Sequence, residues 1–244
     1  MVREEFYASR YYKDCADEPR FDVVASLVRE LRSDGNRLLD VGCGDGSFTT
    51  VLKEAGSFRE AYGVEIAVEA VEAAQEKGIQ AIRLDIEEAP LPFDEGFFDL
   101  VYCGEVIEHV FNPDFLLDEV RRVLDPKGVC IITTPNMAGW PSRIALLLGF
   151  QPYPTAVSPH HESAGKLFIR GSEGQWGHIR IFTLRAFKEL IALHHFDIVR
   201  LQGCPITVNS HLPFMASGLV TTLDRLLSKR PSLAGRIIAV LKKE

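Results

Sequence analysis

Read for alternation of apolar and polar positions, the chain is a series of short apolar runs separated by amphipathic stretches. Residues 38–41, 61–66, 79–84 and 97–103 are runs with little polar alternation, and a turn followed by a fifth run covers 125–135. Runs of this kind read as parallel strands buried on both faces. Between them, residues 21–31 place Val24, Leu27, Val28 and Leu31 on one helical face, and Asp34-Gly35 ends the pattern. Residues 48–55, 68–77, 114–124 and 184–193 repeat the helical period, with Gly78 as a C-terminal stop and Thr183 as an N-cap. Residues 196–201 and 235–241 are further strands, with Lys242 and Lys243 beyond the last. Strands that alternate with helices predict an α/β fold with a doubly wound, mostly parallel sheet.

Two regions break the alternation. Residues 136–176 are long for a connection and carry Trp140, Pro141, Pro152, Pro154 and Pro159; insertions of this length are usually lids, binding elements or disordered. Residues 205–230 contain an apolar run, 212–227, charged only at Asp224 and Arg225. This run and residues 144–150 admit three readings: core or lid packing, a pocket for a lipid-like or aromatic acceptor, or a peripheral membrane or homodimer contact beside Lys229 and Arg230. At the N-terminus Phe6, Tyr7, Tyr11 and Tyr12 form an aromatic face that packs on the core or closes over a ligand. The 244 residues fit one domain, 1–244, with the two regions as parts of it.

A formal charge of −7 argues against a general nucleic-acid binder. The five cysteines, Cys15, Cys43, Cys103, Cys130 and Cys204, include no Cys-x-x-Cys pair, so neither a disulfide framework nor a zinc knuckle is indicated. The first residues show no apolar signal region and no run is long enough to span a bilayer, which gives a cytoplasmic expectation.

The chemistry concentrates where the first strand ends, in Asp40-Val41-Gly42-Cys43-Gly44-Asp45-Gly46-Ser47. Glycines here let the backbone turn sharply and approach a ligand closely, and the helix that follows offers free N–H groups. A dinucleotide fingerprint needs its third glycine at the sixth position; here that position is Ser47 and Gly46 comes one residue early. A plain tight turn is the other reading of such a loop. Glu65 closes the second strand about 20 residues on, where an acid can accept both ribose hydroxyls. Asp85-Ile86 closes the third, with Glu87 and Glu88 as neighbouring acids. After the fourth comes Cys103-Gly104-Glu105-Val106-Ile107-Glu108-His109.

In this order, from Leu38 to Pro135, the motifs resemble class I S-adenosylmethionine-dependent methyltransferases of the small-molecule, type 11-like group. Gly177 to Thr183 resembles the segment leading into that family's last helix. The resemblance implies a Rossmann-like, seven-stranded sheet with an antiparallel last strand and an inserted lid before the last core helix. It implies S-adenosyl-L-methionine as cofactor. Asp40, Gly42, Cys43, Gly44 and Gly46 would then form the methionine side of the site, with Cys103, Gly104 and Glu105 near the amino group. Glu65 and Ile66 would meet the ribose, and Asp85 and Ile86 the adenine.

Transfer of a sulfonium methyl is an in-line displacement that needs alignment and exclusion of water; no metal is expected. If the acceptor is a hydroxyl, a histidine can take its proton. His109 and His178 are the candidates, both placed after strands at the sheet end where ligands bind. His160-His161-Glu162 has metal-like composition, but adjacent histidines point apart in regular structure. Arg170 and Arg180 could pair with an anionic group of a substrate. The reading is methyl transfer to a small-molecule, glycan-precursor or lipid-like acceptor, with oxygen favoured over carbon or nitrogen. A non-catalytic cofactor-binding partner protein and a nicotinamide-dependent oxidoreductase are the alternatives.

Overall fold

The computed structural model describes residues 19–31, 36–158, 160–161, 163–167, 177–205 and 214–244. The readings of Phe6 to Tyr12, Asp34-Gly35, Glu162 and Arg170 lie outside these residues. The apolar runs form one seven-stranded sheet: β1 (Arg37–Val41), β2 (Glu60–Glu65), β3 (Gln80–Arg83), β4 (Phe98–Gly104), β5 (Leu124–Pro135), β6 (Phe196–Cys204) and β7 (Arg236–Lys243). The strand order is β3-β2-β1-β4-β5-β7-β6, parallel throughout except that β7 runs antiparallel between β5 and β6. The helices are α1 (Pro19–Leu31), α2 (Ser47–Gly56), α3 (Val68–Glu76), α4 (Pro113–Val123), α5 (Trp140–Leu147), α6 (Leu184–Leu193) and α7 (Phe214–Leu227).

The period of two along each strand sorts neighbouring residues to opposite faces. Leu38, Leu100, Tyr102 and Ile131 meet Val24 and Leu27 of α1, Leu52 of α2 and Ala74 of α3 in one core. Leu39, Val101, Cys103 and Ile132 meet Leu117 and Val120 of α4 and Phe187 and Ile191 of α6 in the other. Each fully buried leucine or phenylalanine contributes about 1.5–3 kcal/mol relative to exposure, so the sheet is fixed from both sides. Local capping agrees with the pattern: the Asn112 side chain accepts the Phe115 N–H at 3.1 Å, and Pro113 opens α4. Thr183 caps α6 by accepting the Ala186 N–H at 3.2 Å.

The last strand runs beyond the sequence expectation. Lys242 and Lys243 belong to β7, where they pair with Asp197 and Phe196 of β6. Backbone pairing carries the strand past the end of its apolar run. Residues 136–176 include α5, whose Leu146, Leu147 and Leu148 end is exposed, Leu147 by 85%. Of the run 212–227, residues 214–227 form α7, and Leu223 and Leu226 on it are exposed. Among the described residues no helix is long and apolar enough to cross a membrane.

Candidate active site

The sheet order reverses at β1, which has β2 on one side and β4 on the other. In open α/β sheets such a switch point opens a crevice at the carboxyl ends of the strands. Here the crevice is a cleft of about 520 Å³ lined by Gly42, Glu65, Ile66, Asp85, Ile86, Glu105 and His109 among others. Seven of the residues singled out in the sequence, from four separate segments, therefore come together.

The loop after β1 is built for close approach. Gly42 has φ 76°, and a Cβ there would sit 2.6 Å from Val106 Cγ2. Gly46, at φ 74°, starts α2 and packs so tightly that a Cβ would lie 3.0 Å from Ala74. The Gly42 N–H donates to the Val64 carbonyl at 2.8 Å, which ties the loop to β2. Glu65 completes the tie. Its Oε2 accepts the Gly44 N–H at 3.1 Å, and its Oε1 accepts those of Ile66 at 2.8 Å and Ala67 at 3.1 Å. Burial still raises the Glu65 carboxyl above its ordinary range, against the lowering effect of those three donors.

Asp40 is buried and does not line the cleft; it accepts the Thr49 hydroxyl at 2.6 Å. Burial pushes its carboxyl up to about 7, with the Thr49 bond opposing and Glu65 adding to the rise. Cys43 packs its sulfur where a Gly63 Cβ would come within 2.5 Å, so this cysteine is a small buried apolar group. Cys103 is fully buried, and desolvation raises its thiol. Of the acids after β3, Glu87 accepts the N–H groups of Phe111 and Asn112, and Asp85 accepts the Glu87 N–H at 3.0 Å.

Glu105 takes the left-handed conformation at φ 56° just past β4. Such a conformation costs about 1–3 kcal/mol in a non-glycine residue. Its carboxylate accepts from Arg236 Nε at 2.9 Å and the Thr133 hydroxyl at 2.9 Å, with Arg20 at 3.7 Å. Burial opposes ionisation, but Arg236 and then Arg20 outweigh it and hold the carboxyl below its ordinary value. Arg236, Arg20 and Thr133 were not singled out in the sequence. Arg236 reaches the site through the β5–β7 register, which pairs it with Pro135, and no local motif signals that.

Glu108 organises the far wall. Its carbonyl accepts the N–H groups of Ile179 at 2.7 Å and Arg180 at 3.0 Å, which brings the segment carrying His178 across to His109. The two imidazole centroids lie 4.9 Å apart. His109 Nδ1 lies 3.2 Å from the Gly177 carbonyl, and His178 Nδ1 lies 2.7 Å from the Pro154 carbonyl. A carbonyl only accepts, so each Nδ1 carries the proton, and in the neutral ring Nε2 carries the lone pair. His178 does not follow a strand as expected. Residues 177–181 have no regular structure, and the N–H groups of Ile179 and Arg180 bond to Glu108 instead of a sheet neighbour. Arg180 points its guanidinium to the Phe111 carbonyl at 3.0 Å. The Glu108 carboxyl is fully buried, and desolvation followed by the Glu105 charge raises it well above its ordinary value.

Comparisons with known proteins agree with this architecture. Residues 39–132 match a family described as a methyltransferase domain. The chain is 30% identical to a ubiquinone biosynthesis O-methyltransferase of Alkalilimnicola ehrlichii over 180 residues, 70% of this chain and 69% of that protein. With the protein of the same name from Psychrobacter arcticus it shares 32% over 114 residues, spanning 44% of that relative's length. Among solved structures it resembles an S-adenosylmethionine-dependent methyltransferase from Mesorhizobium loti (TM-score 0.59, 17% identity, 91% of this chain and 100% of that one). It also resembles one from Archaeoglobus fulgidus (TM-score 0.58, 16% identity, 98% of each). The chain belongs to the class I S-adenosylmethionine-dependent methyltransferases. It is an enzyme of that class, with S-adenosylmethionine as its cofactor. The cleft suits such a molecule: Glu65 and Asp85 present carboxylates at the ends of β2 and β3, and the Gly42 backbone leaves no room for a side chain.

Proposed function

We propose that this enzyme methylates an oxygen of a small-molecule acceptor, and that His178 and His109 receive the acceptor at the mouth of the cofactor cleft. The observation that carries the reading is the His109–His178 pair, 4.9 Å apart beside the cleft, with both Nδ1 atoms turned to backbone carbonyls. In this reading Asp40, Gly42, Cys43, Gly44 and Gly46 shape the methionine end. Glu65 and Ile66 hold the ribose, Asp85 and Ile86 hold the adenine, and Cys103, Gly104 and Glu105 bound the amino group. Bound there, S-adenosylmethionine supplies an activated sulfonium methyl.

The chain's own task is then alignment and one proton. His178 Nε2 accepts the proton of the acceptor hydroxyl, and the Pro154 carbonyl at Nδ1 stabilises the imidazolium that forms. The relatives named for ubiquinone biosynthesis support oxygen as the target. Exposed Leu146, Leu147 and Leu148 on and beyond α5 favour an acceptor with apolar character, lipid-like or aromatic.

The test supplies methyl-labelled S-adenosylmethionine with a panel of phenolic, alcohol, carboxylate and amine acceptors. Label should pass to a hydroxyl acceptor, and His178→Asn should lower kcat by about 10²–10⁴-fold. Label passing only to amines or carbon would overturn the reading, as would full activity in the variant.

A further inference from the structure

Glu108, His109 and His178 form a cluster that methyl transfer as described leaves partly unused. One ligand atom from each lies within 4.8 Å of the others, a separation that small side-chain rotations close around an ion. Glu108 is fully buried, and while its Oε2 accepts the Thr134 hydroxyl at 3.1 Å, its Oε1 has no hydrogen-bond partner among the described residues. A buried carboxylate oxygen without a partner is costly, and a cation compensates it directly. The histidines are prepared in the way metal ligands are. A backbone carbonyl at each Nδ1 fixes the tautomer with its lone pair on Nε2 and orients the ring. Glu105, by contrast, is committed to Arg236.

We propose that Glu108, His109 and His178 bind one divalent transition-metal ion at the edge of the cofactor cleft. Two imidazoles and one carboxylate suit a borderline ion such as Zn²⁺ or Co²⁺, and three protein ligands leave a position for an oxygen from the cleft. His109 lines the cleft, so the ion would sit at its edge. The inference rests on the oxygen-acceptor reading for what the ion does there: it would hold the acceptor oxygen and favour its ionised form, so that in the metal-loaded enzyme His178 Nε2 would act through the ion in place of taking the proton itself. The proposal departs from the sequence expectation of a metal-free site, since no sequence motif links Glu108 and His109 to His178.

The test uses Co²⁺ alone, with no acceptor present. The full chain is treated with chelator, dialysed and titrated with Co²⁺ while visible absorption and bound metal per chain are read. Wild type should take one Co²⁺ with a ligand-field band that Zn²⁺ abolishes. His178→Ala and Glu108→Gln should bind at least tenfold more weakly, with adenosylhomocysteine affinity retained as the sign of a folded cleft. Should Glu108→Gln fail to fold, His178→Ala, only half-buried, decides the matter. Wild type that takes up no Co²⁺, or His178→Ala that binds like wild type, overturns the site. Either result leaves oxygen methylation to be judged by its own acceptor panel.

Discussion

The Glu65 carboxylate and the Gly44 N–H are joined at 3.1 Å, so the acid at the end of β2 holds the glycine loop that follows β1. Glu65 is thus a structural acceptor as well as a ribose ligand in the proposed site. Replacing it by alanine orphans three backbone donors, those of Gly44, Ile66 and Ala67. Each buried donor left unpaired costs about 1–3 kcal/mol. Glu65→Ala should therefore lower both the Tm and the affinity for adenosylhomocysteine, by more than tenfold. Glu65→Gln keeps one acceptor oxygen and should lose affinity with a smaller loss of Tm. Calorimetric titration beside thermal denaturation checks this; unchanged affinity in both variants would refute the ribose role.

Gly42→Ala separates two physical costs. The φ of 76° is unfavourable for any side chain by roughly 1–2 kcal/mol, and the new methyl would meet Val106 Cγ2 at 2.6 Å. Adding Val106→Ala removes the collision but not the backbone strain. The double variant should recover part of the lost Tm and remain below Val106→Ala alone. Full recovery would mean that the glycine is needed for space only.

How far the sequence foretold this site follows from the range of the interactions that make it. The glycine loop, Glu65 and Asp85 each end a strand, and the topology of a doubly wound sheet brings strand ends together, so local patterns located them. Capping by Thr183 was equally local. Arg236 and Arg20 were invisible because their contact with Glu105 depends on β7 register and on α1 packing. The link between Glu108 and His178 was missed for a similar reason, since it runs through a backbone carbonyl that any residue type could supply.

The Arg236–Glu105 pair makes a prediction of its own. Both side chains are largely buried, so removal of one partner leaves an uncompensated charge. Arg236→Met should cost about 3–5 kcal/mol, moderated by Arg20, which lies 3.7 Å from Glu105. Glu105→Gln combined with Arg236→Met should cost less than the sum of the two single changes, since the stranded charge is gone. Denaturant unfolding of the four proteins measures the coupling, and strict additivity would exclude it.

His194, at the C-terminal cap of α6, links that helix to α4: its Nδ1 lies 2.7 Å from Asp118 and its Nε2 lies 2.9 Å from Asp114. Burial opposes the imidazolium, but the hydrogen bonds to Asp114 and then Asp118 raise the pKa above its ordinary value of 6.5. A histidine raised on folding stabilises the folded state fully below that ordinary value, and the contribution is lost as pH rises through the raised one. His194→Gln should therefore be clearly less stable than wild type at pH 6, with the difference shrinking steadily towards pH 9. Because the bridge lies between α4 and α6, adenosylhomocysteine affinity should not follow this profile. Unfolding curves across that pH range decide it: a stability difference independent of pH would show that the bridge does not hold the imidazolium.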